Sequence, residues 1–260
     1  MKRLAWLSLV LAAGVTAAGV AGIACASPRD YLGWPHEPAG WTVLNDYDMH
    51  DLNDGGWRNV YEFSLSHGYL KLVTDTTAPG SGRAVWQFAY PIGYVGGSAP
   101  ATEYYDIPGQ PPALYVGFWW KPSNPWQGQA GSVNKILFIN VGPTRSPVGN
   151  LTMQLWGAGS GPFSTRMVGE NFEDVAYWEN VGSTKPLALG VWHRIEILMN
   201  SPVGALQWWV DGVLIGRYTG VPYPMSGFGQ LQFSPTWGGN GDTKIENDYF
   251  WFDHVRVSRP

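Results

Sequence analysis

One stretch limits the possible folds of this chain more than any other: Trp192-His193-Arg194-Ile195-Glu196-Ile197-Leu198-Met199, then Ala205 to Val210, the pair Asp211-Gly212, and Val213 to Tyr218. Polar and apolar residues alternate with a period of two through these segments, the pattern of strands whose side chains point to opposite faces. The Asp-Gly pair supplies the positive φ angles of a tight hairpin turn, so the last two segments are expected to pair directly. Segments of the same kind recur at 41–44, 57–63, 69–74, 84–90, 114–120, 134–141, 150–156, 163–168, 175–180, 228–234 and 249–257, bounded by Gly, Pro, Asn or Asp. No stretch beyond the first 26 residues sustains a 3.6-residue period. About fourteen short strands are more than a small immunoglobulin-like domain needs, and the expected fold is all-β, a two-sheet antiparallel β-sandwich of jelly-roll type. Segment 91–112, with Pro91, Gly93, Gly96, Gly97, Pro100, Pro108, Pro111 and Pro112, reads as the longest irregular loop.

With 34 glycines and 20 prolines in 260 residues the chain would suit disorder if the remainder were polar, but 45% of it is hydrophobic and 15% aromatic. Glycine and proline are therefore read as turn punctuation. The start, Met1-Lys2-Arg3 followed by an apolar run over 4–24 and then Ala24-Cys25-Ala26, reads as an export signal cleaved after Ala26. Two other readings stay open: Gly22-Ile23-Ala24-Cys25 resembles a bacterial lipobox that would anchor the protein through a lipid on Cys25, and the run is nearly long enough for an uncleaved anchor helix. The expected location is secreted or periplasmic, with residues 27–260 forming one domain. Loss of Lys2 and Arg3 moves the formal net charge from −4 to −6, which argues against nucleic acid as a partner. Cys25 is the sole cysteine, so the mature chain is expected to have no disulfide.

Three motifs carry a resemblance: Trp192-His193-Arg194-Ile195-Glu196, the turn Val210-Asp211-Gly212-Val213-Leu214, and the ending Phe252-Asp253-His254-Val255-Arg256-Val257-Ser258. Over roughly residues 114–260 the chain resembles concanavalin A-like lectin and glucanase domains, and within them secreted bacterial jelly-roll proteins related to polysaccharide lyases of the heparin-lyase and glucuronan-lyase type. The resemblance implies a jelly roll. It implies less about activity, because such domains include lectins, hydrolases, lyases and adhesion modules.

Strand alternation suggests which side chains could meet a glycan. In 150–156, Leu151, Met153 and Leu155 form one face, and Asn150, Thr152, Gln154 and Trp156 the other. Amides donate to and accept from hydroxyls, and an indole stacks on the C–H face of a pyranose ring. Similar polar faces are read at Gln230 and Gln232, and at Tyr115, Trp119 and Lys121; Arg166 with Tyr177 or Trp178 could complete a groove. Trp237, in a loop between Pro235 and Gly238, is the candidate exposed platform, the alternative being a ring folded back onto the sandwich edge.

Retaining glucanases of this fold present two carboxylates as Glu-x-Asp-x-x-Glu, and no such motif is present. That absence argues against glycoside hydrolysis by this scheme and, if the chain is an enzyme, favours a polysaccharide lyase over a glycoside hydrolase. A lyase needs a group that neutralises a uronate carboxylate, a base and an acid, and Gln154, Arg166, Lys135 and Tyr177 would suffice if they converge. The Gln-x-His strand and Tyr-rich terminal strand of many alginate lyases of this fold are absent, so those catalytic residues do not carry over. His193 reads as a hydrogen-bonded core residue. No cofactor is required by either reading, although Asp46 and Asp48 of an acidic loop, with Asp253, could hold a structural calcium. Three functions follow: polysaccharide binding in a concave-sheet groove, β-elimination of an acidic glycan in the same groove, or a structural or adhesion role.

Overall fold

The computed structural model describes residues 33–59, 67–80, 84–144, 146–172, 176–177, 186–239 and 241–260. Among them are fifteen strands and no helix, arranged as two antiparallel sheets. One sheet runs β13 (Val213–Tyr218), β12 (Ala205–Val210), β11 (His193–Asn200), β6 (Ala113–Pro122), β15 (Asp248–Arg259), β4 (Val85–Tyr90), β3 (Leu70–Val73), and β1 (Thr42–Tyr47) also pairs with β15. The other runs β10 (Ala176–Tyr177), β9 (Ser164–Glu170), β8 (Gly149–Trp156), β7 (Val133–Val141), β14 (Phe228–Phe233), β5 (Glu103–Asp106), β2 (Trp57–Asn59). The hairpin at Asp211-Gly212 is present, with both residues at positive φ. One expectation is corrected: 91–112 is not wholly irregular, because Glu103-Tyr104-Tyr105-Asp106 forms β5 between β14 and β2. Four alternating residues between Pro100 and Pro108 are too short to stand out from their punctuation.

The two sheets meet through interdigitated rings. Phe233 on β14 lies 5.3 Å from Trp57 and from Phe118, 4.7 Å from Phe252 and 6.0 Å from Trp86, ring centroid to centroid, so one side chain joins five strands. Its full burial contributes about 2–3 kcal/mol, to which the edge-to-face ring contacts add. Close packing also fixes residue size: a Cβ on Gly216 would lie 2.0 Å from the Trp208 ring on the neighbouring strand.

The outer face of the eight-stranded sheet is covered by residues 33–41. Gly117 lets the Trp34 ring lie flat, since a Cβ there would sit 2.5 Å from it. The His36 ring stacks on Trp209 at 4.4 Å, and its backbone N–H donates to the fully buried Glu196 carboxylate at 3.0 Å. The Tyr115 hydroxyl and Arg194 Nε also donate to Glu196, at 2.8 and 3.0 Å. A buried charge is tolerated because its oxygens are occupied.

A second buried ion pair joins Lys244 to Asp248, with the ammonium 3.9 Å from the Trp126 ring centroid and 4.5 Å from that of Trp237. Trp237 Nε1 and Lys244 Nζ both donate to the Gln127 carbonyl, at 2.9 and 2.6 Å. Cation–π attraction and shared hydrogen bonding thus hold the loop after β14 against the sandwich.

Glu103, on the inner face of β5, is sealed from solvent. Burial pushes its carboxyl up to about 8, more than hydrogen bonding from Asn59 draws it back. A raised folded-state value means that the neutral acid's contribution is complete below about 4.5 and is lost as pH rises towards 8. The thermal midpoint is therefore expected to fall between pH 5 and pH 8, and Glu103→Gln, neutral throughout, should raise it at pH 8 more than at pH 5. An unchanged pH dependence in that variant would contradict the assignment.

Candidate functional site

The outer face of the seven-stranded sheet is built by register. Arg58, Tyr104, Gln232, Phe138, Thr152 and Val168 lie in one cross-strand row, and Asp106, Gln230, Asn140, Asn150 and Glu170 in the next. On the other side of the first row lie Lys135, Gln154 and Arg166. A register shift between Lys135 and Leu137 lets Lys135 point outward while Ile136 and Leu137 are both buried in the core. Leu151, Met153, Leu155, Ile139 and Leu231 fill the inner face of the same strands, so apolar burial turns the amides outward.

Hydrogen bonds lock this face into an ordered array. Asn140 Nδ2 and Gln232 Nε2 both donate to Gln230 Oε1, at 3.1 and 2.6 Å, and Gln230 Nε2 donates to Asp106 at 2.7 Å. Asp106 also accepts a two-pronged pair from Arg58 at 2.6 and 3.0 Å. At the other end Arg166 Nε donates to Gln154 Oε1 at 2.9 Å, Gln154 Nε2 to Glu170 at 3.4 Å, and Lys135 Nζ to Glu170 at 2.9 Å. The Arg166 guanidinium lies over the Trp156 ring, 3.4 Å from its centroid. Burial draws Arg166 down to about 10, so it remains a cation at neutral pH. Lys135, Gln154, Arg166 and Glu170, with Gly97, Thr236, Gly238 and Gly239, line a cleft of about 460 Å³. Within it Gln154 and Arg166 are buried, and Lys135 and Glu170 are half-buried.

Lys135, Gln154 and Arg166 therefore come together, and Asn150, Trp156, Gln230 and Gln232 share their face. Other candidates lie elsewhere. Tyr177 pairs with Met167 on the core side, its ring 5.1 Å from Tyr218 of the opposite sheet, because Ala176 takes the outward position on that short strand. Tyr115 and Trp119 belong to the eight-stranded sheet; alternation on β6 identified a polar face, but of the other layer. Trp237 is fully buried and is not an exposed platform, since its indole packs on Lys244 and donates to Gln127. Trp178 lies outside the described residues. Of the carboxylates considered for calcium, Asp46 bonds His254 and Arg256, Asp48 bonds His50, and Asp253 accepts from the Gly80 N–H. Among the described residues no group of three or more His, Cys, Asp or Glu is arranged to hold a metal ion. His193 is buried and bonded to Asp211 and the Ala188 carbonyl.

The sequence reading does not single out Arg58, Tyr104, Asp106, Asn140 or Glu170, which also lie on this face; its strand at 163–168 stops short of Glu170. The alternation of Glu103 to Asp106 was the available signal for two of them.

No protein-family model and no curated protein matches the sequence. Among solved structures, alginate lyase Aly36B superposes with a TM-score of 0.53 at 10% identity, covering 84% of this chain and 98% of that one. Alginate lyase vAL-1 from Chlorella virus gives 0.51 at 12% identity over 84% and 100% of the two chains. The cellulose induced protein Cip1 gives 0.50 at 15%, over 88% and 94%. What the chain shares with them is the fold, a two-sheet antiparallel β-sandwich of jelly-roll type. A mutant of Aly36B is in complex with alginate tetrasaccharide. At these identities the likeness concerns the jelly roll itself, and the chemistry must come from this chain's own side chains.

Trp237→Ala is expected to lower stability by about 3–5 kcal/mol, the range for deleting a large buried ring, and to loosen the Gly238-Gly239 rim of the cleft. Chemical denaturation measures this; an unchanged midpoint would contradict the buried-wedge placement.

Proposed function

We propose that this protein is an exported polysaccharide-recognition protein that holds an acidic glycan along the outer face of its seven-stranded sheet. The observation that carries this reading is the continuous outward array from Arg58 and Asp106 through Gln230, Gln232 and Asn140 to Gln154, Arg166 and Lys135. Fixed amides suit sugar hydroxyls, and an arginine backed by an indole suits a carboxylate. The residues of 1–26 support passage out of the cytoplasm.

A second reading, β-elimination on a uronate-containing glycan, is favoured by the convergence of Gln154, Arg166 and Lys135 at one cleft. Arg166 or Gln154 would neutralise the carboxylate and acidify the adjacent C–H. Three features favour holding over cutting. The Lys135 ammonium is engaged by Glu170, and the phenol of Tyr177 lies on the core side. No described strand of this sheet contains a histidine to serve as the base.

Affinity electrophoresis in gels containing alginate, polygalacturonate or glucuronan tests the proposal. Retention is expected for the wild-type protein, and Arg166→Ala should weaken it by on the order of tenfold to a hundredfold, the worth of one charge-assisted contact. Equal retention of the variant would contradict the reading. Release of unsaturated uronates absorbing in the ultraviolet would replace recognition by the lyase reading.

A further inference from the structure

The cationic cleft is not the largest opening on this side of the molecule. A cavity of about 770 Å³ lies across the segment 93–102, with Gly97 lining the cationic cleft and Ser98 the larger one. That segment is a fixed partition. Gly97 N–H donates to the Trp237 carbonyl at 2.8 Å, Gly96 N–H to Asp242 at 3.0 Å and Gly93 N–H to Lys244 at 2.8 Å, while Lys244 N–H returns a bond to Tyr94 at 2.9 Å.

The chemistry on the two sides differs. The larger cavity is lined by the phenols of Tyr69, Tyr94 and Tyr104 and the hydroxyls of Ser98, Thr102 and Ser234, the rest being apolar side chains and glycine. None of its described lining residues is Asp, Glu, Lys, Arg or His. The Tyr94 ring meets Tyr69 edge-on at 6.0 Å and its hydroxyl bonds Ser98, while Thr102 and Ser234 share a bond of 2.7 Å. Burial pushes the Tyr94 phenol up to about 12, so it stays neutral. Arg58, 5.8 Å from the Tyr104 ring centroid, is neutralised by Asp106. Phenol rings offer apolar faces to sugar C–H groups, and hydroxyls pair with sugar hydroxyls. A carboxylate placed here would lose its hydration without gaining a cation. The volume falls within the roughly 300–1,000 Å³ typical of small-molecule sites.

Tyr104 connects the two regions, because it also stands opposite Gln232 in the outward row. From β5, which carries Tyr104, to β8, which carries Gln154, there are three inter-strand steps, roughly 14 Å. A short oligosaccharide spans that distance.

We infer that the cavity lined by Tyr69, Tyr94, Ser98 and Tyr104 is a subsite for an uncharged pyranose, so that the glycan recognised combines neutral and acidic sugars. This inference rests on the polysaccharide-recognition reading. The test is retention of the full chain on immobilised neutral homopolysaccharides, polyuronates, and heteropolysaccharides containing both neutral and uronic sugars. Two variants accompany the wild type: Tyr69→Ala, which removes one ring, and Ala99→Trp, which fills the cavity. The wild type is expected to be retained most strongly on a mixed polymer. Each variant should lose about fivefold to tenfold there, the worth of a single aromatic contact, with polyuronate retention unchanged. Polyuronate retention equal to that on every mixed polymer, with neither variant changing either, would overturn the neutral subsite and leave recognition standing. Wild-type retention on none of the three classes would overturn both.

Discussion

Phe233 is held between Trp57, Trp86, Phe118 and Phe252, and this contact fixes more than the spacing of the sheets. Side chains alternate along a strand, so an inward Phe233 and Leu231 require an outward Gln232 and Gln230. A slip of one residue would bury two amides and expose two large apolar groups. The same reasoning applies to β8, where Leu151, Met153 and Leu155 hold Asn150 and Gln154 on the other side. The polar array is thus a consequence of how the core is filled.

The two outer faces then have different fates. On the eight-stranded sheet, residues 33–41 cross the strands, and Trp34, His36 and Glu37 engage Gly117, Trp209, Glu196 and Arg256. Its polar groups are spent on covering the fold. On the seven-stranded sheet, the buried wedge of Trp237 and Lys244 holds the rim at Gly97 and Gly238, beside a cleft with Lys135, Gln154 and Arg166. One layer carries a structural network beneath residues 33–41, and the other keeps its polar array beside an open cleft.

Much of this was legible in the amino-acid sequence because the sandwich depends on period-two patterning. The hairpin at Asp211-Gly212 and the inward face of 150–156 follow from turn chemistry and alternation, whereas Gln154 meets Arg166 through the register of β8 against β9. What alternation lacks is knowledge of layer and of ring direction. Tyr115 and Trp119 show the correct polar periodicity on β6, but that strand belongs to the opposite sheet. Trp237 lies in a loop rich in glycine, which permits an exposed ring and a buried one equally, and the choice was made by Lys244 and Gln127, distant in sequence or hidden by context. Tyr177 failed by a single position of parity. Tyr104 and Asp106 were masked by surrounding prolines and glycines, although their strand completes the face.

The central claim is that one sheet face, and not the other, meets the glycan. Side-chain amide resonances test it directly, since each Asn and Gln NH₂ reports its own surroundings during titration with an oligosaccharide released from a retained polymer. The account predicts that Asn140, Asn150, Gln154, Gln230 and Gln232 shift together while Gln87 and Gln207, on the eight-stranded sheet, stay still. Shifts confined to Gln87 and Gln207, with the other five unmoved, would contradict it.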